Sequence, residues 1–177
     1  MARTNSSKLR GILLGFSLFL SSSLDAQTTN GSWQDMGSAL PAIPFQLGNV
    51  LVDVERVGNL VYVAGGFNDL GGVPDADNIA VWNGVYWNGV GGGLYGQPDF
   101  SFSVVTVMLA VGNDLYVGGD FVEAGGVPGA THIAKWNGTS WEALGNGLNG
   151  TVYALLNIGN DIYAGGEFED AGGIPNA

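Results

Sequence analysis

Short apolar runs, separated by glycine, asparagine and proline, fill most of the chain. The runs at 104–111 and 152–158 are rich in Val, Leu and Ile, and the run at 114–121 carries Leu, Tyr, Val and Phe. Shorter runs follow at 132–136 and 140–144. Such runs, rich in branched and aromatic residues and bounded by turn residues, are typical of strands. After residue 26, no stretch has the length and the 3.6-residue period of a helix. The pattern predicts an all-β protein.

One segment of the sequence occurs three times. Residues 112–128 read GNDLYVGGDFVEAGGVP, and near-copies stand at 58–74 and 159–175. Three tyrosines mark equivalent positions, 54 and then 47 residues apart: Tyr62, Tyr116 and Tyr163. Spacings of this size are those of propeller blades, which bury both faces of a small sheet by stacking it on its copies.

Each repeat is predicted to form a four-stranded antiparallel meander. Its third and fourth strands meet at Asn83-Gly84 and Asn137-Gly138, dipeptides that suit the positive φ angles of a tight hairpin turn. We therefore predict an all-β fold, a β-propeller-like array of four-stranded antiparallel blades that is incomplete, with about three blades' worth of sequence. Its predicted parts, within a domain at 27–177, are the fourth strand of a preceding blade at 31–37, a blade at 50–94, a blade at 104–148 and a partial blade at 151–177.

Tryptophan and glycine recur at fixed places in the repeats. The tryptophans could be platforms for sugar stacking, but their fixed positions favour packing between blades: Trp33, Trp82, Trp87, Trp136 and Trp141. The glycine pairs at 118–119 and 165–166 interrupt strands, which indicates close approach of neighbouring backbones.

The amino terminus has the layout of a secretory signal peptide at 1–26. Three basic residues precede the apolar run at 11–20, and small residues lead to a predicted cleavage point after Ala26. About 10 apolar residues are too few to cross a bilayer, which needs roughly 20 in a helix. We expect export to a secreted, extracellular or cell-surface location, with no membrane insertion after cleavage.

The exported chain would be strongly acidic. It would carry fifteen acidic residues against two basic ones, Arg56 and Lys135, which gives a net charge of −13. Such a surface repels phosphate backbones and anionic lipids, so neither nucleic acid nor a membrane surface is an expected partner. The chain has no cysteine, which excludes a cysteine nucleophile and cysteine-based metal sites.

Several motifs follow one another in each unit. An apolar-Tyr-apolar strand enters Gly-Gly and is followed by Phe, Ala-Gly-Gly-(Val/Ile)-Pro, Ile-Ala-x-Trp-Asn-Gly-x-x-Trp and Leu-Gly-x-Gly-Leu. This pattern resembles Kelch-type β-propeller repeats and is similar to those of secreted and cell-surface proteins related to the fungal cortical polarity marker. The resemblance covers residues 31–177 and implies a propeller without a shared catalytic motif. Because such propellers close with more blades, it also implies a fragment of a longer protein or an assembly of several chains.

Catalysis has few candidate residues. A copper-radical oxidase site, as found in some Kelch-like propellers, needs a Cys and two His ligands, and His132 is the one histidine here; we expect it to be an exposed or hydrogen-bonded strand residue. Carboxylates recur at one repeat position, at Asp69, Glu123 and Asp170. Two carboxyls about 5–10 Å apart could hydrolyse glycosides, but a repeated position assigns each to a different blade. We expect no enzyme; the alternative is an extracellular polysaccharide-acting enzyme that uses rim carboxylates.

Calcium is the one cofactor that the sequence leaves open. Asp75 and Asp77 form a local acidic cluster with Asn78, and extracellular oxygen-rich loops can bind calcium weakly. The second repeat has no such cluster, and the spacing does not match a complete EF-hand loop. A solvated loop is therefore the preferred interpretation, and no cofactor is expected.

The segment at 95–102 is an insertion found in the first repeat only. It is aromatic, and loops often present binding residues, so Tyr95, Phe100 and Phe102 are candidates for a contact surface. A tolerated loop insertion is the alternative. Together with Asp69, Glu123 and Asp170, these residues are the ligand-binding candidates. We expect an exported, non-enzymatic binding or adhesion module whose rim loops contact protein or glycan, with purely structural spacer repeats as a further alternative. Its open strand edges should favour self-association.

Overall fold

A computed structural model describes residues 25–27, 33–35, 50–96 and 105–175. This part of the chain is all-β, and its one helical element is a short 3-10 helix at Leu70–Gly72. The strands, in chain order, are β1 Asp25–Gln27, β2 Trp33–Asp35, β3 Val50–Val57, β4 Leu60–Gly66, β5 Ile79–Trp82, β6 Trp87–Gly89, β7 Leu94–Gly96, β8 Val105–Val111, β9 Asp114–Gly119, β10 Phe121–Ala124, β11 Ile133–Trp136, β12 Trp141–Ala143, β13 Val152–Ile158, β14 Asp161–Gly166, β15 Asp170–Ala171 and β16 Ile174–Pro175.

The repeats fold into equivalent sheets. The first unit is a four-stranded antiparallel sheet in the order β3-β4-β5-β6, and the second has the order β8-β9-β11-β12. The third unit contributes the pair β13-β14. The all-β class and the four-stranded antiparallel units are therefore confirmed. Within the described ranges every sheet has two edge strands, so none of them closes on itself.

A bulge recurs at one position in the first strand of every unit. The register shifts between Leu51 and Asp53 in β3, between Val105 and Val107 in β8, and at the equivalent place in β13. An extra residue at that point bends the strand and increases its twist. The shared bulge shows that the repeats are alike in backbone geometry as well as in sequence.

The first two units pack face to face. One face of the first unit, which we call its trailing face, carries Val57, Tyr62, Ala64 and Ile79, and it lies in one buried cluster with the leading face of the second unit, Leu115, Val117, Ala134 and Trp136. The Trp136 indole N–H donates to the Tyr62 hydroxyl across this contact at 3.3 Å. The Tyr62 and Trp136 rings are both buried, so their packing and this hydrogen bond hold the two sheets together.

Tryptophans occupy the packing positions that the sequence predicted. Trp87, Trp136 and Trp141 are buried, and Trp82 and Trp87 lie with ring centroids 5.2 Å apart. The second unit repeats this pair with Trp136 and Trp141 at 5.3 Å. The Trp33 side chain lies outside the described residues.

The Asn-Gly hairpins differ from the tight turns expected. Trp136 pairs with Trp141, so the loop between β11 and β12 holds residues 137–140, and within it Gly138 alone has positive φ, at 92°. The Asn137 side-chain oxygen accepts the N–H groups of Thr139 and Ser140, each at 2.9 Å. Asn83 does the same in the first unit. The asparagine thus closes the loop with its side chain instead of adopting positive φ.

Near the amino terminus the structure describes two short strands. β1 spans the predicted cleavage point after Ala26 and pairs with β2, which lies inside the stretch predicted as a fourth strand. In the part of the chain that the structure describes, no helix is long and apolar enough to span a membrane.

Candidate binding surface

The insertion begins with a strand at the junction of the first two units. β7 Leu94–Gly96 pairs antiparallel with β10 Phe121–Ala124, and Tyr95 is the register partner of Glu123. The expectation that Tyr95 lies on a loop was therefore wrong, because β10 supplies backbone partners from the next unit. The Tyr95 side chain is 42% exposed. Phe100 and Phe102, the other aromatic candidates, lie outside the described residues.

Backbone hydrogen bonds fix this strand from both sides. The Leu94 N–H donates to the Asp77 carbonyl at 3.2 Å, and the Asn78 side-chain amide donates to the Leu94 carbonyl at 2.7 Å. From the second unit, the Gly125 N–H donates to the Gly93 carbonyl at 3.1 Å. A strand held at this many points presents its exposed side chain in a defined position.

The loop beneath the strand has an unusual backbone. Asp69, Asp75 and Asn78 all have positive φ, at 49°, 65° and 61°. Aspartate and asparagine are the non-glycine residues that most readily adopt this left-handed conformation. The Asp77 carboxylate accepts the Asp69 N–H at 2.9 Å, which ties the two ends of the loop together.

Three carboxylates lie close enough to Tyr95 to act on its hydroxyl group. Burial raises the pKa of the Tyr95 hydroxyl, and the negative charges of Asp77, Asp75 and Glu123 raise it further, in that order. We call Tyr95, Asp75, Asp77 and Glu123 the Tyr95 patch. It combines an accessible aromatic face with a strongly negative local potential, so it can attract a cation and stack against it.

Two residues of the predicted calcium cluster, Asp77 and Asn78, have structural roles. The Asp77 carboxylate and the Asn78 amide are each hydrogen-bonded to backbone groups, as described above. Among the residues that the structure describes, no group of three or more His, Asp or Glu side chains is arranged to hold a metal ion. Asp75 is exposed, and its charge contributes to the raised pKa of the Tyr95 hydroxyl.

The recurring carboxylates lie in different repeat units. Glu123 belongs to the Tyr95 patch, whereas Asp69 precedes the 3-10 helix of the first unit. Asp170 lies on β15, where its backbone N–H donates to the side chain of Asn149 at 2.9 Å and its Oδ1 is buried without a hydrogen-bond partner. Asn149 takes the repeat position of Tyr95, so the second junction lacks the aromatic ring.

Asn78 and His132 link one repeat unit to the next through their side chains, a role that the sequence analysis did not predict. Both have positive φ, and each side chain bonds the carbonyl of the leucine that leads into the next unit, Asn78 to Leu94 and His132 Nδ1 to Leu148 at 2.9 Å. His132 Nε2 also lies 3.5 Å from the carboxylate of Asp120. Their shared repeat position was the available signal. The hydrogen bond of His132 agrees with the sequence-based expectation, but the residue precedes β11 and does not lie in a strand.

A second exposed apolar site was missed. Val85 and Tyr86 form the tip of the hairpin between β5 and β6, and both are mostly exposed, whereas the second unit has Thr139 and Ser140 there. The difference between the two repeats at these positions was visible in the sequence.

Comparison with known proteins finds no matching family model, no matching curated relative and no matching solved structure.

Proposed function

We propose that the chain is an exported, non-enzymatic binding module, a segment of a Kelch-like β-propeller array whose Tyr95 patch contacts a cationic protein segment at the cell surface. The observation that carries the proposal is the exposed Tyr95 ring. It lies on a strand that is hydrogen-bonded on both sides, and three carboxylates raise the pKa of its hydroxyl. Folded repeats support the ring and the charges.

The packing of successive units supports the propeller interpretation. The first strands β3, β8 and β13 lie side by side, and each unit begins with the same bulge. A stack of sheets related by one repeated contact is the arrangement from which propellers are built. The apolar run and basic leader at 1–26 support export.

Charge and shape favour an arginine- or lysine-bearing partner. A guanidinium group can stack on the Tyr95 ring and pair with Asp75 or Glu123, both of which are exposed. The whole chain adds long-range attraction, because its formal net charge is −11. A glycan is the second candidate, since an exposed tyrosine beside carboxylates can also stack on a sugar and bond its hydroxyls.

A binding titration separates these candidates. A fluorescent peptide of alternating arginine and glycine, titrated with the full chain, should bind at low salt and lose affinity as salt rises, because exposed charge pairs are screened. The Tyr95→Ala and Glu123→Gln variants should each weaken binding, by about threefold to tenfold, through loss of the cation–π contact and of one charge pair.

Glu169→Gln is the matched control for Glu123→Gln. Glu169 is exposed in the third unit and the substitution makes the same charge change, so the affinity for the peptide should remain unchanged. An equal loss of affinity in both variants would show that only the net charge matters, and it would contradict binding at the Tyr95 patch. Salt-independent binding to a glycan array, lost in Tyr95→Ala, would support the glycan candidate instead.

Self-association is a separate part of the proposal. In the third unit Leu156, Ile158 and Tyr163 lie on the trailing face and are 55%, 57% and 52% exposed. The equivalent face of the first unit is covered by the second unit. Exposed apolar patches of this kind favour association, and we expect the chain to form oligomers, visible by light scattering as a concentration-dependent mass. A single monomeric mass across concentrations would contradict this expectation.

A further inference from the structure

The hairpin loops of the first two units begin with the same three residues, Trp-Asn-Gly, at 82–84 and 136–138. In both loops the asparagine Oδ1 accepts two N–H groups of its own loop, at 2.9 and 3.0 Å for Asn83 and at 2.9 Å each for Asn137. The glycine that follows is exposed in both, with a φ of 99° at Gly84 and 92° at Gly138. Neither glycine N–H donates to another group among the described residues. The two loops therefore match in local sequence and in backbone geometry.

An asparagine–glycine step in this conformation can react with itself. The Gly84 nitrogen, after losing its proton to water or hydroxide, attacks Cγ of Asn83, and the new C–N bond closes a five-membered imide ring. Negative charge then develops on Oδ1, where the N–H groups of Val85 and Tyr86 already lie at hydrogen-bonding distance. Donors placed in advance at a developing oxyanion stabilise the intermediate.

The reaction is completed by loss of ammonia and uptake of water. The Cγ–Nδ2 bond breaks, and the amide nitrogen takes up a proton and leaves as ammonia. A water molecule then opens the imide at either carbonyl. One product has aspartate at position 83, and the other has isoaspartate, in which the main chain runs through the side-chain carbonyl.

The two loops differ around the nitrogen that must leave. Asn137 Nδ2 donates to the Glu142 carboxylate at 2.6 Å and to the Ser140 hydroxyl at 3.2 Å. Lys135 Nζ, 2.6 Å from Glu142, holds that carboxylate in place. Asn83 Nδ2 makes no hydrogen bond to any described residue, because the first unit has other residues at these three positions: Tyr86, Asn88 and Val81.

The hydrogen bonds of Asn137 oppose its reaction. Its Nδ2 must give up two acceptors before it leaves, and one of them is a charged group, which makes the stronger kind of hydrogen bond. Donation to a carboxylate also strengthens the partial double bond between Cγ and Nδ2. Asn83 has the same oxyanion donors without this restraint.

The other asparagine–glycine steps in the described ranges have a different arrangement. Asn88-Gly89 lies in strand β6. Asn149 Oδ1 accepts the N–H groups of residues 169 and 170, far along the chain, and Asn146 donates through Nδ2 to the Gly172 carbonyl. In this part of the chain, the loops that begin at Asn83 and Asn137 are the ones in which the asparagine oxygen accepts N–H groups of its own loop.

We infer that Asn83-Gly84 is a site of spontaneous deamidation, created by the loop geometry and restrained at its equivalent in the second unit by Glu142. This modification does not depend on the proposed binding at the Tyr95 patch. It adds a negative charge beside Val85 and Tyr86, which are 76% and 59% exposed at the tip of the hairpin. The isoaspartate product also lengthens the main chain between β5 and β6, so it should displace that tip.

The test is to age the full folded chain at mildly alkaline pH and to measure deamidation at both positions. Pepsin digestion at acid pH stops the reaction, and mass spectrometry of the peptides detects the exchange of –NH2 for –OH. Asn83 should react about threefold to tenfold faster than Asn137, the factor expected when hydrogen bonds hold one leaving nitrogen and not the other. In denaturant the two rates should become equal, because both sites share the Trp-Asn-Gly sequence.

Two variants exchange the restraint between the hairpins. Glu142→Ala removes the shorter hydrogen bond of Asn137 and should accelerate its deamidation by at least about twofold, while Asn83 is unaffected. Asn88→Glu introduces a carboxylate at the equivalent place and should slow Asn83. Equal rates in the folded chain, a faster reaction at Asn137, or a difference that persists in denaturant would each overturn the inference.

Discussion

Asp75 illustrates how one residue can differ between otherwise matching repeats. It has a φ of 65°, and the second unit has Gly129 at the same position with a φ of 78°. A non-glycine residue in this region costs roughly 1–2 kcal/mol, and less for aspartate, which bonds locally. The first unit therefore accepts an unfavourable backbone at a residue whose carboxylate acts electrostatically on Tyr95. On our proposal, that carboxylate contributes to binding and not to stability.

Replacing Asp75 by glycine should separate these two properties. Asp75→Gly should leave the free energy of unfolding equal or raise it by up to about 1 kcal/mol, because glycine adopts positive φ without strain. Affinity for the arginine peptide should fall about twofold to fivefold. Asp75→Asn is the control, with the same affinity loss and no gain in stability. A clear loss of stability in Asp75→Gly, measured by chemical denaturation, would count against this role.

The sequence predicted individual site residues better than their arrangement. Tyr95 and Glu123 were both candidates, but their pairing joins two repeats and leaves no local pattern to read. The acidic cluster around Asp77 suggested a calcium ligand. In the structure, the Asp77 carboxylate accepts the Asp69 N–H. Such a role depends on how the loop returns on itself, which spacing along the chain does not determine.

The strands were largely predictable because the repeat shows each one more than once. β13 Val152–Ile158 has the predicted bounds, and β11 and β12 lie within theirs. The predicted strand at 114–121 is instead divided, with β9 ending at Gly119 and β10 beginning at Phe121. The division follows a change of partner, since β9 pairs with β11 while β10 pairs with β7. Partner changes of this kind have no signature in hydrophobic periodicity.

The junction between the first two units depends on a glycine contact. A Cβ on Gly125 would lie within 2.4 Å of both the Gly91 carbonyl oxygen and the Trp141 ring, whereas a Cβ on Gly126 would meet nothing closer than 3.8 Å. Both glycines have positive φ. Gly125→Ala should therefore lower the free energy of unfolding by about 1–3 kcal/mol more than Gly126→Ala does, since only the former overpacks the junction. Equal losses in thermal or denaturant unfolding would show that backbone strain alone is at work.

The hairpin of the second unit should give a pH-dependent contribution. Lys135 Nζ lies 2.6 Å from Glu142, and this hydrogen bond, followed by that from Asn137, lowers the pKa of the Glu142 carboxyl. A lowered folded-state pKa means that the stabilisation is present above the ordinary glutamate pKa and is lost as pH falls through the lowered value. The stability difference between the unmodified chain and Glu142→Gln should be constant near about pH 6 and should shrink on acidification. Denaturant unfolding at several pH values measures it, and a pH-independent difference would exclude the charged pair as the source.

Viewed as a whole, the chain combines a repeated scaffold with a patch that is not repeated. The scaffold is the face-to-face packing of units around Tyr62 and Trp136. The patch is that of Tyr95, and it lies at the junction of the first two units. Because the repeats share their packing residues, the positions at which they differ carry the information about partners. The acidic net charge should accelerate the approach of basic partners and make their binding sensitive to salt.

The proposed binding module is tested most directly by nuclear magnetic resonance titration of the isotope-labelled full chain with the arginine–glycine peptide. We predict that backbone amide shifts will change at Tyr95, Gly96, Glu123 and Asp75, and that these changes will be absent in Tyr95→Ala and at about 1 M salt, where the screening length is roughly 3 Å. Shifts confined to other surfaces, or no shifts at a saturating peptide concentration, would contradict the account.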